Sequence, residues 1–364
     1  SKRIAGIISA RGSNSSHVAI LARAMGIPAV MGASNVSLGW MDQCEVIADG
    51  YQGRIYVQPP AIVKTEYSRL IKEESLLKKE LRGLRNLPAE TSDGFKVALM
   101  VNSGLLADEA ISHSETEDGV GLYRTEFLFM VRESFPSESE QQEMYHKILK
   151  AYAPMSVNIR TIDVGGDKPL PYLPVAEDNP SLGWRGIRVA LDHPDILVTQ
   201  IKALLKASLG LNNMNIMFPM LSNLDELDEA QALYENALYE VKLKHPDIAT
   251  PKVGVMIEVP SAMLLAESFA KRVDFLSIGS NDLTQYLLAV DRNNPRVAKL
   301  YDTLNPAVLR GIKLVVDAGV KQAKPVCVCG EMAGDPIAAL LLVAMGVGSL
   351  SMANSNIARV KWVI

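Results

Sequence analysis

The sequence predicts an α/β fold: a (β/α)8 TIM barrel preceded by a partial α/β unit and a linker helix. Three observations point there. From residue 89 onward, short apolar segments alternate with helical stretches. There are eight such segments: KVALMVN (96–102), GVGLYR (119–124), VNIRTID (157–163), MNIMFPM (214–220), KVGVMIE (252–258), DFLSIGS (274–280), KPVCVCG (324–330) and SLSMAN (349–354). Near-continuous apolar strands mark a parallel sheet covered on both faces, and residues 89–364 match the size of a (β/α)8 barrel. An open doubly wound sheet is the alternative. It calls for a GxGxxG turn after an early strand, and the sequence contains none.

Ahead of the barrel, residues 1–60 read as a small α/β unit, with strand-like segments at 3–9, 28–31, 44–48 and 54–57 and a helix between the first two. Residues 61–86 form one charged helix. Val63, Tyr67, Leu70, Leu77, Leu81 and Leu84 keep three- and four-residue spacing, with Glu74 interrupting the stripe. Asn86-Leu87-Pro88 ends it, because proline disfavours helix at the residue before it. Residues 61–88 are then either a helix packed on its neighbour or a connecting arm. The chain opens directly into KRIAGIIS, without an initiator Met or a signal peptide, as expected of a fragment cut inside a domain.

Composition narrows the function classes. The 364 residues leave room for two or three domains, and 48% of them are hydrophobic. A net charge of −4 argues against nucleic acid as the main partner. Three cysteines, Cys44, Cys327 and Cys329, are too few for a disulfide framework and fit a reducing, cytoplasmic setting. The longest apolar stretch, 337–353, is broken by Gly346 and Gly348, so it reads as a buried helix followed by a strand and not as a membrane span.

In such a barrel the chemistry sits at the C-terminal ends of the strands, and polar residues gather there. Strand two ends in Arg124, followed by Thr125 and Glu126; strand three carries Arg160 and Asp163 and runs into Gly165, Gly166, Asp167 and Lys168. Strand five ends in Glu258, strand six runs into Ser280, Asn281 and Asp282, and strand seven ends in Cys329 and Glu331. Arginine forks match phosphate and carboxylate. Arg124 and Arg160 are the best placed, Arg185 and Arg292 are loop candidates, and Lys168 adds a point charge. Glu258 and Asp282 are hard oxygen ligands suited to Mg²⁺. Cys327 and Cys329 share one face of their strand; Cys327 suits core packing, while Cys329, at the mouth, can serve as a proton donor. Trp184 either packs or stacks on a ligand. His113, His146, His193 and His245 show no metal spacing.

His17 stands apart. In RGSNSSHVAILARAMGIPAVMG (11–32), small hydroxyl and amide residues lead into an apolar-periodic helix, and the histidine falls at its start. Ser15 or Ser16 can cap the free N–H groups, which form a cradle for an anion. The helix dipole favours the neutral imidazole there. Taken alone, the segment fits a nucleophile beside a phosphate site or a solvent-exposed histidine near a cap.

The segment resembles the phosphohistidine motif of the phosphoenolpyruvate-utilising enzymes, with Ser13 and Ser15 where a glycine and a threonine are common. GLYRTEFLFM (121–130), RTIDVGGDKPLPY (160–172), NPSLGWRGIR (179–188), IEVPSA (257–262), SIGSNDLTQYLLAVDRNN (277–294) and CGEMAGDP (329–336) look like Enzyme I of the bacterial phosphotransferase system. GWRGIR, VDRNNPRVAKLYD and CGEMAGDP look most like its nitrogen-type branch, which suggests a role in nitrogen regulation. The resemblance implies a partial phosphohistidine domain over 1–60, a linker helix over 61–88 and a phosphoenolpyruvate-binding barrel over 89–364. It implies phosphoryl transfer to His17 and onward to a histidine-containing phosphocarrier protein, with release of pyruvate. Arg124, Arg160, Lys168, Arg185 and Arg292 would hold the substrate, Asn281 the phosphate, Glu258 and Asp282 an active-site Mg²⁺, and Cys329 would protonate the enolate. A cytoplasmic homodimer with no nucleic-acid partner and no membrane insertion is expected. Two other enzyme readings stand beside it. One is a phosphoenolpyruvate synthase or pyruvate phosphate dikinase fragment. The other is a Mg²⁺-dependent lyase acting through a pyruvate enolate, which needs no phosphoacceptor histidine.

Overall fold

The computed structural model describes residues 4–10, 18–19, 22, 26–34, 38–84, 87–104, 117–166, 168, 170–173, 177–294 and 296–364. The chain divides into two compact units, Ser1–Leu87 with Asp291–Lys299, and Pro88–Val290 with Leu300–Ile364.

In the first unit, β1 (Ile7–Ile8) pairs in parallel with β2 (Ala29–Val30), and β3 (Val46–Asp49) pairs antiparallel with β4 (Arg54–Val57). Asp49 shapes the β3–β4 turn: its Oδ1 accepts the backbone N–H groups of Tyr51 at 2.9 Å and Gln52 at 3.0 Å. Helix α1 (Ala61–Gly83) follows. Glu74, the polar break in its stripe, accepts the Tyr51 hydroxyl at 3.2 Å, and Tyr67 donates to Asp49 at 2.8 Å. The interruption is therefore a contact between the helix and the hairpin. The helix ends at Gly83, before the proline-based stop, because glycine has the weakest propensity of any residue short of proline.

The second unit is a closed barrel of eight parallel strands. They are β5 (Ala98–Ser103), β6 (Val120–Tyr123), β7 (Val157–Arg160), β8 (Met214–Phe218), β9 (Lys252–Ile257), β10 (Phe275–Ile278), β11 (Val326–Val328) and β12 (Ser349–Met352), and β12 closes onto β5. The helices in chain order are α2 (Glu126–Met130), α3 (Glu138–Tyr152), α4 (Ile187–Asp192), α5 (Pro194–Ala207), α6 (Leu224–Lys244), α7 (Pro260–Leu264), α8 (Ala266–Ala270), α9 (Ser280–Leu288), α10 (Pro306–Lys321), α11 (Pro336–Ala344) and α12 (Asn354–Val363). Caps are written into the sequence: Ser137 and Glu140 form a capping box on α3, and Asn223, Asn305 and Asp335 cap α6, α10 and α11.

Side chains alternate along each strand. One set, including Leu99, Val101, Ile159, Ile216, Phe218, Val255, Ile257, Leu276, Ile278 and Val328, builds the main core with the helices. The other set is mixed. Leu122, Met217, Met256, Phe275 and Cys329 form a separate buried cluster, and Asn158, Arg160, Ser277 and Ser351 are buried polar residues of the same strands. The segments that read as continuously apolar are thus apolar toward the helices and half polar toward the barrel interior.

The strands end earlier than the sequence patterns do. β7 stops at Arg160, not Asp163; β9 stops before Glu258; β11 covers only Val326–Val328. The last ladder bonds reach Thr161, Gly279 and Cys329. The apolar stretch 337–353 is a helix and then a strand, but the helix is not fully buried: Ile337, Leu340 and Leu341 are 66%, 44% and 40% exposed. A helix covering a barrel hides one face only, here Ala338, Ala339 and Leu342. Among the described residues no helix is long and apolar enough to cross a membrane.

Candidate active site

At the C-terminal ends of β6, β7 and β10, buried charges interlock. Asp163, fully buried just past β7, is the hub. It pairs with Arg160 Nη1 at 3.0 Å, Lys168 Nζ at 2.5 Å and Arg185 Nε at 3.0 Å. Arg160 also pairs with Glu126, which opens α2, and Arg185 reaches across to Asp282 on α9 at 3.1 Å. Three cations, Arg160, Lys168 and Arg185, are therefore matched by three carboxylates, Glu126, Asp163 and Asp282. Burial alone would raise the Asp163 carboxyl, but Arg185, Lys168 and Arg160 hold it well below its ordinary value. Burial likewise opposes charge on Arg185, and Asp163 and Asp282 outweigh it.

Glu258 follows β9 and is 1% exposed. Its Oε1 accepts the backbone N–H of Met220 at 2.8 Å, while its Oε2 is buried and, among the described residues, has no hydrogen-bond partner. Met220 takes the left-handed conformation, with φ 59°, uncommon for a non-glycine residue. A Cβ added to Gly186, itself at φ 61°, would lie 2.9 Å from the Met220 side chain, so glycine is required there. Burial, then the charges of Asp282 and Asp163, push the Glu258 carboxyl up to about 8. Mg²⁺ binds through one or two carboxylates completed by substrate and water oxygens. A buried carboxyl oxygen that no described residue hydrogen-bonds, near the charge of a second carboxylate, fits that donor set. Among the described residues no group of three or more His, Cys, Asp or Glu side chains is placed to hold a metal, so Glu258 and Asp282 would leave the remaining positions to substrate and water.

Cys329, just past β11, is 2% exposed, and burial pushes its thiol up. Cys327, two residues earlier, is also buried, and burial pushes its thiol up to about 12. Asn281, the second residue of α9, accepts the backbone N–H of Glu331 through Oδ1 at 2.8 Å, which orients its amide. Arg124 follows β6, is half-buried, and its charge is felt at the Cys329 thiol. Trp184 packs: its indole N–H donates to Asp192 at 2.6 Å, and its ring lies 5.4 Å from that of His193.

The barrel thus brings Arg160, Lys168, Arg185, Glu258 and Asp282 into one electrostatic cluster, with Cys329 close enough to feel Glu258, Arg160 and Arg124. Arg292 falls in Asp291–Lys299, which groups with the other compact unit. His17, Ser15, Ser16, Asp167 and His113 lie outside the described residues. Two residues the sequence noted without a role, Glu126 and Asp163, prove central as counter-charges. The available signal was an acid two or three residues beyond each arginine, in RTE and RTID.

Comparison with known proteins follows the same lines. The chain is 44% identical over 363 residues to the "Phosphoenolpyruvate-dependent phosphotransferase system" protein of Salmonella typhimurium, covering 100% of this chain and 48% of that protein. It is 40% identical over 365 residues to the phosphoenolpyruvate-protein phosphotransferase of Listeria innocua, covering 100% of this chain and 64% of that protein. The chain therefore spans about half to two thirds of the length of these relatives. A HpcH/HpaI aldolase/citrate lyase family protein from Burkholderia cenocepacia gives a TM-score of 0.45 at 17% identity, over 78% of this chain and 94% of that one. The profile of the PEP-utilising enzyme, mobile domain, matches residues 1–53. Because the profile of the PEP-utilising enzyme, PEP-binding domain, matches residues 78–364, the chain belongs to the PEP-utilising enzyme family.

Proposed function

We propose that this chain moves the phosphoryl group of phosphoenolpyruvate to His17 and then to a histidine-containing phosphocarrier protein, releasing pyruvate. The observation that carries the reading is the buried arginine–carboxylate cluster beside Glu258 in a PEP-binding barrel. The names of the relatives support it. Residues 1–60 would be the phosphohistidine domain, 61–88 the linker helix and 89–364 the substrate barrel, in a cytoplasmic homodimer. GWRGIR, VDRNNPRVAKLYD and CGEMAGDP favour the nitrogen-type branch.

Phosphoryl transfer is mostly positioning and charge neutralisation. Arg124, Arg160, Lys168, Arg185 and Arg292 would hold the phosphate and carboxylate of the substrate, and Asn281 would donate its amide N–H to the phosphate. Glu258 and Asp282 would hold Mg²⁺, which when bound supplies charge neutralisation to substrate oxygens. Glu126 and Asp163 keep the arginine forks fixed before substrate arrives, so little reorganisation is left to the reaction itself. Cys329 would give its proton to the enolate carbon.

The test is mass spectrometry of the chain after incubation with phosphoenolpyruvate and Mg²⁺ and no nucleotide. Acid-labile phosphate on His17, absent in His17→Ala, is expected. A requirement for ATP or AMP would move the chain to the synthase or dikinase class. Label on a serine, or none while pyruvate forms, would overturn the mechanism.

A further inference from the structure

Ser277 is fully buried on β10, on the strand next to Cys329. Its hydroxyl donates to Cys329 Sγ at 3.3 Å, and the thiol in turn donates to the Ile278 carbonyl at 3.5 Å. The Cys329 carbonyl accepts from Asn102 Nδ2 at 3.0 Å, and Asn102 Oδ1 accepts the Ser351 hydroxyl at 2.6 Å. Residues on β5, β10 and β12 thus pin both the backbone and the sulfur of Cys329. Among the described residues, the bond Ser277 makes through its hydroxyl is to sulfur and not to a backbone group, so its polar atom serves the thiol and not the strand.

We infer that Ser277 is a positioning residue: it sets the orientation of the Cys329 thiol and remains the hydrogen-bond donor to sulfur once the thiol has given up its proton. This rests on the reading of Cys329 as the donor to the enolate. In that step a C–H bond forms at the enolate carbon and the S–H bond breaks, its electron pair staying on sulfur. The Ser277 O–H bond does not break; its hydrogen bond becomes charge-assisted and stronger. Solvent returns the proton to sulfur when pyruvate leaves. The groups acting on this thiol are burial and Glu258, which oppose the thiolate, and Ser277, Arg160 and Arg124, which favour it, with Cys327 beside it on the same strand.

The experiment titrates the Cys329 thiol by its ultraviolet thiolate absorbance, in the full chain carrying Cys44→Ser and Cys327→Ala. Ser277→Ala should raise the thiol pKa by about one unit, a tenfold loss of acidity, and Ser277→Thr, which keeps a hydroxyl, should restore it. An unshifted pKa in Ser277→Ala overturns the inference. A second arm follows exchange of the pyruvate methyl protons with deuterated solvent. Ser277→Ala should slow exchange and Ser277→Thr should recover it, while Ser277→Ala adds nothing in a Cys329→Ala background. An additive loss there overturns the inference. A thiol shift with no pyruvate exchange in the parent chain supports the Ser277–Cys329 coupling and counts against the phosphoenolpyruvate reading instead.

Discussion

Arg185 and Asp282 meet as a two-armed ion pair, Nη1 on Oδ1 at 3.2 Å and Nη2 on Oδ2 at 3.1 Å. The same guanidinium holds both oxygens of Asp163, at 3.0 Å and 3.1 Å. One side chain thereby links the loop before α4 to the residue just past β7 and to the start of α9. All three residues are buried, so these charges depend on one another and not on water.

Arg185→Lys should therefore be far from conservative. A lysine is a point charge and cannot present the fork that two carboxylates use here. Breaking buried pairs of this kind costs about 3–5 kcal/mol, and urea denaturation should show a loss near the lower end, since one charge is kept. Binding of a phosphate-bearing ligand should fall in the same variant. A stability loss under about 1 kcal/mol would contradict the reading of a buried hub.

Glu258→Gln tests the metal pair. The amide keeps an oxygen for the Met220 N–H and cannot take on the negative charge that metal binding would draw from Glu258 beside Asp282 and Asp163. Stability without metal should be unchanged or higher. Calorimetry should show phosphoenolpyruvate binding that no longer responds to Mg²⁺. Unaltered Mg²⁺ dependence here and in Asp282→Asn would remove these two residues from the metal site.

Cys327 offers a test in pH. Burial raises its thiol from 9.0 to about 12 in the folded chain. A raised folded value means that the stabilising contribution is fully present below pH 9 and is lost as pH climbs toward 12. Between pH 8 and pH 10 the parent chain should lose about 1 kcal/mol through this group. Cys327→Ala should show a shallower decline by that amount, whatever its constant packing cost. Parallel curves for the two proteins would show that Cys327 does not titrate as a buried thiol.

Ile337, Leu340 and Leu341 lie three and four residues apart on one exposed face of α11. Contiguous exposed apolar surface of this kind marks contact surfaces. Sedimentation of the chain at micromolar concentration should give a dimer, and Leu340→Glu with Leu341→Glu should give a monomer. A monomeric parent chain would argue against the homodimer. A dimer that survives both substitutions would place the contact elsewhere.

The eight barrel strands were legible because each carries an outward row of aliphatic residues, such as Val255 and Ile257 on β9, that must meet the helices. The inward row was harder to read. Asn158 and Ser277 look like isolated polar breaks in an apolar run, and their partners lie on neighbouring strands, with Asn158 accepting Asn215 Nδ2 at 2.8 Å. Glu126 was visible beside Arg124 in sequence, yet it pairs with Arg160, from the next strand. Arg160 meets Asp163 three residues on in the sequence, but strand alternation and loop turns bring Glu126 to Arg160, and Asp163 and Asp282 to Arg185.

By itself the sequence determined the α/β class, the eight repeats and the polar residue types that collect at the strand ends. Those follow from local propensity and apolar periodicity, which act within a few residues. Only the tertiary structure decided that Asp163 is the hub, that Arg185 is held by two carboxylates and that, among the described residues, one oxygen of Glu258 has no partner. Barrel closure brings residues 163, 185, 258 and 282 into one buried volume. In that low-dielectric setting every charge needs a partner, and the partner is chosen by three-dimensional reach.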